Sequence, residues 1–150
     1  MGVYRNKLEI QDESLIWKDK SIILDQSIIR DINNPFRQTG GLKLINGNIG
    51  KGVIKTSALK NPDKVIKGPA VVFDDQEDVL KAFNGVELNK DLIIVVRGQG
   101  PSAHGMTELH KLTSPLNVLQ SMGFDIAIIT DVSMSVDSVS VPAVIHMSPD

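Results

Sequence analysis

Cysteine is absent from the 150 residues. That absence excludes disulfides, Cys-ligated zinc, thiol nucleophiles and a self-contained iron–sulfur site, each of which needs thiolate sulfur from the chain. Chemistry here must use oxygen and nitrogen groups, or a partner's cofactor. Long apolar runs are also lacking. The longest, Leu92–Val96, is far short of the roughly 18–20 residues that span a bilayer. Residues 1–10 carry Arg5, Lys7 and Glu9 without an apolar core, so they do not read as a signal peptide. Charge of one sign is not in excess, because 16 Lys and Arg against 18 Asp and Glu leave a net charge of −2. Without a clustered basic face, nucleic-acid and membrane-surface partners are not expected. Repeats and low-complexity segments are missing too, and nothing addresses the chain away from the cytoplasm.

What is present suits one soluble domain: 41% hydrophobic and 23% charged residues over a length that a single core can serve. Residues 1–40 are polar and mixed, with one apolar patch at Leu15, Ile16 and Trp17 and a short run, Ser21-Ile22-Ile23-Leu24. They read as loops with one or two short strands. Asn33-Asn34-Pro35 and Thr39-Gly40-Gly41 are turn signals. Across 41–55, Leu42, Leu44, Val53 and Ile54 flank Asn46-Gly47-Asn48, which predicts two strands joined by an Asn-Gly turn.

From Lys67 onward the pattern alternates. Pro69-Ala70-Val71-Val72-Phe73 suits a buried strand. Asp74 and Asp75 supply cap oxygens, with Glu77 following, so a helix is predicted near 75–84. Val79, Leu80 and Phe83 form its apolar face and Gly85 its stop. Leu92–Val96 is a second strand, followed by a loop, Gly98-Gln99-Gly100-Pro101, whose glycines are too few to claim a phosphate cradle. Ser114-Pro115 predicts a helix near 115–122, with Ser at the cap, Leu116, Leu119 and Met122 on one face, and Gly123 as its end. Residues 126–129 and 141–146 complete the strands. Solid apolar strands alternating with short helices argue for an α/β sheet, compact and barrel-like or layered, with a mixed sheet and few helices.

Five segments run in an order that resembles a known family: Gly-Gly-Leu-Lys-Leu at 40–44, Gly-Asn-Ile-Gly-Lys-Gly-Val-Ile-Lys at 47–55, Pro-Ala-Val-Val-Phe-Asp-Asp-Gln-Glu-Asp-Val-Leu at 69–80, Gly-Met-Thr-Glu-Leu-His-Lys-Leu-Thr at 105–113, and 123–131. Together they resemble the C-terminal region of the dihydroxy-acid and 6-phosphogluconate dehydratase family, over residues 15–150. The stretches 73–78 and 108–111 resemble its 6-phosphogluconate branch. The resemblance implies a single swivelling β/β/α barrel-like domain over 1–150, with 41–150 as its core, truncated relative to the family. It also implies a cytoplasmic homo-oligomer, in the simplest case a homodimer, that dehydrates a sugar acid to a 2-keto-3-deoxy acid. For the 6-phosphogluconate branch this is a step of Entner–Doudoroff catabolism. The family uses an iron–sulfur cluster and magnesium. The cluster's cysteines and some magnesium ligands belong to a larger N-terminal domain, so this chain alone is expected to carry no cofactor.

Two family roles fall on residues present here. The family's Gly-Met-Pro-Glu motif holds a magnesium ligand at its Glu, matching Glu108, with Thr107 where Pro is usual. A carboxylate suits a hard cation; the alternative is an acid placed near a helix start. The family's Thr-Asp-Gly-Arg-Met-Ser-Gly carries the base that takes the alpha proton, matching Ser135 in Thr130-Asp131-Val132-Ser133-Met134-Ser135-Val136. The flanking Gly, Arg and Gly are here Val132, Ser133 and Val136, while Val139 and Ser140 replace a further Gly and Lys.

Val is a poor substitute where Gly supplies positive φ, and a serine becomes a base only where its alkoxide is stabilised. The 132–141 segment is therefore expected to extend the preceding strand or lack order, with Ser135 turned from Glu108. The rival expectation is the family's turn held under strain. His104 and His110 are six apart, which fits no helical zinc motif. His110 lies two residues after Glu108 and could reach substrate in an intact enzyme; His146 reads as a core or edge residue. Three functions stay open: part of a 6-phosphogluconate-type dehydratase whose activity needs the missing half, a degenerate domain that folds or pairs without turnover, and a sugar-acid binding module, which has least support.

Overall fold

The computed structural model describes residues 7–18, 25–28, 30–31, 33–59, 61, 63–105, 107–134 and 141–148. They fall into two compact units, Met1–Gly40 and Gly41–Asp150. In the first, strands β1 (Lys7–Gln11) and β2 (Ser14–Lys18) pair antiparallel, with Gln11 opposite Ser14. Asp12 and Glu13 make the two-residue turn at φ 49° and 61°. Positive φ at both positions matches the right-handed twist of the flanking strands. The apolar patch at Leu15, Ile16 and Trp17 thus forms β2, with Leu15 and Trp17 exposed. The run 21–24 lies outside the described residues. Asp25 ties its own turn by accepting from Ser27 N (2.8 Å) and Ser27 Oγ (2.6 Å), which hold its carboxyl below the usual range. At the predicted 33–35 turn, Asn34 N donates to Asp31 O (3.0 Å), and the Arg30 guanidinium sits 4.3 Å from the Phe36 ring centre.

The second unit is built on a six-stranded mixed sheet. Its strands are β3 (Leu42–Gly47), β4 (Gly50–Lys55), β5 (Ala70–Phe73), β6 (Leu92–Val96), β7 (Ile126–Thr130) and β8 (Ala143–Ser148), in the order β3-β4-β8-β7-β6-β5. The strands from β5 to β8 run parallel, while β4 and β3 join antiparallel. Helix α1 (Gln76–Asn84) crosses from β5 to β6. A one-turn helix α2 (Pro101–His104), a 3₁₀ turn (His110–Leu112) and helix α3 (Thr113–Ser121) lead from β6 to β7. The α/β class and mixed sheet are as the sequence predicts.

Alternation along the parallel strands fixes the core. Leu92, Ile94 and Val96 of β6 and Ile126 and Ile128 of β7 point to one face and are fully buried. Val79 and Ala82 of α1 and Leu116 and Leu119 of α3 join them, with Leu109 and Leu112 of the connection. These helices are amphipathic and have no other apolar face to bury, so they lie on that side of the sheet. Strand β5 is an outer strand, with Ala70 and Val72 exposed, where a buried strand is expected from its composition.

Four local expectations need correction. The β3–β4 turn is Asn48-Ile49, since Gly47 pairs with Gly50. Gly50 decides this: it sits at φ 128°, and a Cβ there would meet Ser148 O at 2.2 Å, so only glycine can occupy that point of β4 beside β8. Helix α3 begins at Thr113, entered directly from the 3₁₀ turn without a side-chain cap, so Ser114 is inside it, and Met122 is 55% exposed beyond its end. Pro101 opens a helix in place of closing a loop. His146 lies in β8 at φ 52°, exposed, with its backbone N donating to Val132 O (3.3 Å).

Candidate functional site

Parallel strands leave their carboxyl ends open to the loops that follow, and ligands of such sheets gather there. At that edge β5 delivers Asp74 and Asp75, β6 delivers Arg97 through Gly100, and β7 delivers Asp131. Asp75 caps α1, its Oδ1 accepting from Glu77 N at 2.7 Å. Asp74 Oδ1 accepts from Arg97 Nε at 2.6 Å, and this bond raises the guanidinium above its ordinary range. Lys111 Nζ donates to Glu77 Oε1 at 2.7 Å, which likewise raises the Lys111 ammonium and ties the 3₁₀ turn to α1.

Beneath these exposed pairs lies a buried set that residue spacing alone does not reveal. Asp131 is 9% exposed and accepts from the backbone N–H of Gln99 (3.2 and 3.0 Å to its two oxygens) and of Gly100 (3.1 Å). The Gln99 side chain, 2% exposed, donates through Nε2 to Asp74 O at 2.7 Å. Thr130 Oγ1 adds a longer bond to Asp131 Oδ1 (3.4 Å) and accepts from Val132 N (3.4 Å). The ends of three neighbouring strands are thereby stitched together. A polar residue immediately after a solid apolar strand was the available signal for Asp131; Gln99 has none. One buried acceptor at this end of the sheet, Gln76 Oε1 in the first turn of α1, has no partner among the described residues.

Glu108 stands in the irregular segment 107–109, after α2 and before the 3₁₀ turn. It is exposed, and no described residue hydrogen-bonds or ion-pairs with it. The residues around it are fixed: Gly105 ends α2 at φ 68°, Thr107 Oγ1 donates to His104 O (3.1 Å), and Leu109 is fully buried. Glu108 makes no capping bond to the turn beside it. His110 is exposed on the same turn as Lys111.

Ser135 lies outside the described residues, as do Val136, Val139 and Ser140. The start of its segment is described. Strand β7 stops at Thr130, so residues 131–134 do not prolong it, contrary to one of the two expectations. Val132 is fully buried in the core and has no positive φ, so the strain expected at this position is absent. A β-branched side chain is welcome there because its carbons face Met134, Val141 and the other core residues of one cluster. Strands β6 and β7 are parallel neighbours, so the described residues that follow them, 97–100 and 131–134, leave from the same edge of the sheet.

Among the described residues no group of three or more His, Asp or Glu is placed to hold a metal ion. Glu108 fits a magnesium ion as a single oxygen donor, and that cation keeps waters and takes other carboxylates elsewhere. An iron–sulfur cluster does not fit, because the chain has no thiolate to bind one. No helix of the described residues is long and apolar enough to cross a membrane.

Residues 27–150 match the family described as dihydroxy-acid/6-phosphogluconate dehydratase, C-terminal. A phosphogluconate dehydratase of Zymomonas mobilis is 48% identical over 136 residues, 91% of this chain and 22% of its own. One from Escherichia coli is 44% identical over 154 residues, covering 99% of this chain and 25% of its own. A dihydroxy-acid dehydratase of Ignicoccus hospitalis is 32% identical over 153 residues, 99% of this chain and 27% of its own. The chain thus spans about a quarter of the length of these relatives.

Proposed function

The chain belongs to the dihydroxy-acid/6-phosphogluconate dehydratase family, within that family's C-terminal region, and from this membership we propose that it supplies one side of a 6-phosphogluconate dehydratase site. The observation that carries the reading is the difference in identity between branches, 42–49% to the phosphogluconate dehydratases against 32% to the dihydroxy-acid enzyme. The substrate is a phosphorylated sugar acid, and the product is its 2-keto-3-deoxy acid. The working protein is cytoplasmic and a homo-oligomer.

The reaction removes the proton at C2 and the hydroxyl at C3, and the resulting enol becomes the 2-keto group. Ser135 is the base for the C2 proton and Glu108 a ligand for the cation that, when bound, steadies the substrate carboxylate. A serine does this only as an alkoxide, so positive charge must face Ser135 from outside the 132–140 segment, which has lost the family's Arg and Lys. The group that takes the leaving hydroxyl belongs to the part of the family enzyme that carries cysteines. The domain reading follows: residues 41–150 form the core of one C-terminal domain, completed by the N-terminal domain of the family.

The test is reconstitution in trans. The chain is mixed with the separately produced N-terminal three quarters of a full-length relative, and formation of the 2-keto-3-deoxy acid from 6-phosphogluconate is followed. Product only when both parts are present supports the reading. Cluster-loaded N-terminal part bound to the chain, yet yielding no product, contradicts it and leaves the non-catalytic pairing domain.

A further inference from the structure

Among the described residues Asp131 is the one buried carboxylate at the carboxyl edge, and the reaction as read above gives it no role. Besides the longer Thr130 Oγ1 bond, its partners are main-chain N–H groups of a different loop, 31 and 32 residues away in sequence. Gly100, one of those partners, is the residue from which α2 starts, since Ala103 N (3.2 Å) and His104 N (2.9 Å) both donate to Gly100 O. From α2 the chain turns at Gly105 and reaches Glu108 within a few residues.

Between Gly100 and Glu108 the connection has few other ties, the Thr107 Oγ1 bond to His104 O among them. Gly98 has φ 69° with no atom near its missing side chain, the α2 residues are all exposed, and Gly105 is again open. The Gln99 amide on Asp74 O and the Gln99 and Gly100 N–H groups on Asp131 tie the start of α2 to the two neighbouring strand ends. Hydrogen bonds from backbone N–H to a carboxylate are stronger than neutral ones, and burial keeps water from replacing them.

We propose that Asp131 is a positioning residue: its carboxylate clamps the Gln99-Gly100 backbone to the end of β7 and so sets the place of Glu108, without itself touching substrate. The inference rests on the reading of Glu108 as a site residue, and deepens it. Gln99 is the second tooth of the same clamp, gripping β5 through Asp74 O. Leu109, fully buried, anchors the downstream side, so Glu108 is held between two fixed points while its own carboxylate stays open to solvent.

The experiment is residue-resolved amide hydrogen exchange on the ¹⁵N-labelled chain, for wild type, Asp131→Asn and Asp131→Ala. Asn keeps the shape and one acceptor but turns an NH₂ toward an N–H, so it remains folded if Ala does not. The expected result is exchange at Gln99 or Gly100 faster by about ten- to hundredfold, the factor for a lost bond to a charged acceptor. The same variant speeds exchange at Thr107 and Glu108, while Ile94 and Ile128 stay within about twofold of wild type. Unchanged Gln99 and Gly100, or a uniform rise that includes Ile94 and Ile128, overturns the clamp; the uniform rise would mark a residue that only stabilises the fold. In the reconstituted enzyme, Asp131→Asn raises the magnesium concentration for half activity in the same direction as Glu108→Gln does, and an unchanged magnesium requirement counts against positioning. A reconstituted mixture without turnover removes the reading of Glu108, while the exchange pattern still decides whether the clamp exists.

Discussion

Val86 sits where a helix usually ends on glycine. Glu87 N donates to Ala82 O (3.1 Å) and Val86 N to Phe83 O (3.0 Å), the paired bonds of a Schellman motif, and Val86 takes the left-handed position at φ 65°. Gly85, expected to supply that conformation, is at an ordinary φ of −76° one residue early. Val86 is 61% exposed, so its side chain gains little to offset a β-branched residue in a left-handed well. Val86→Gly is therefore expected to raise stability by about 1 kcal/mol in urea denaturation, after the entropy that glycine adds to the unfolded chain. A lowered midpoint would mean that the valine makes a contact worth more than its strain. Val132 presents the opposite case: one of the valines that stand where the family has glycine is buried and has no positive φ. Whether a valine is harmful at such a point depends on its φ and on what surrounds its side chain, and neither is written in the residue names.

At the same scale the two site residues make separable predictions in the reconstituted enzyme. Ser135→Ala removes the proton acceptor and should lower kcat by about 10²–10⁴-fold with the cation requirement unchanged. Glu108→Gln removes a charge from a cation ligand and should raise the magnesium concentration for half activity by about tenfold or more. Steady-state rates across a magnesium titration distinguish them, and the opposite assignment of effects would exchange their roles.

Between elements, the two longer helices begin by different physics. Helix α1 has a built cap, Asp75 on Glu77 N, whereas α3 grows out of a 3₁₀ turn in which Leu112 N donates to Leu109 O. Asp75→Ala should cost about 1 kcal/mol, and Ser114→Ala within about 0.5 kcal/mol of nothing, by chemical denaturation. Equal losses would mean that Ser114 does cap α3. The α1 start was legible because Asp75 and Glu77 stand in register before an apolar stripe. The α3 start was not, because Ser-Pro reads as a cap whether or not a preceding turn already supplies the first hydrogen bonds. The β3–β4 turn was displaced for a similar reason: Asn46-Gly47 has the right residues, but Gly50 must lie opposite Gly47 to let β8 approach.

Across the whole molecule, strand identity was the most legible feature. Leu92–Val96 and Ile126–Thr130 are solid apolar runs, and such runs belong to parallel strands with helices over them. Their order in the sheet was not legible, nor that the strand at 70–73 would lie outermost, because pairing is decided by contacts between distant segments. The candidate site divides the same way. Glu108 is proposed on its motif alone, while the Gln99–Asp131–Asp74 stitching became visible only when three strand ends were brought to one edge.

The proposal to be tested is that these residues supply one side of a 6-phosphogluconate dehydratase site. It is tested most directly by a single-chain chimera, with this chain replacing the matching C-terminal segment of a full-length phosphogluconate dehydratase. The measurement is its steady-state rate of 2-keto-3-deoxy-6-phosphogluconate formation, beside that of the isolated chain. The account predicts turnover of 6-phosphogluconate by the chimera and a rate indistinguishable from buffer for the chain alone. A folded chimera with the parent's iron and sulfide content and no turnover, or turnover by the isolated chain, would contradict it.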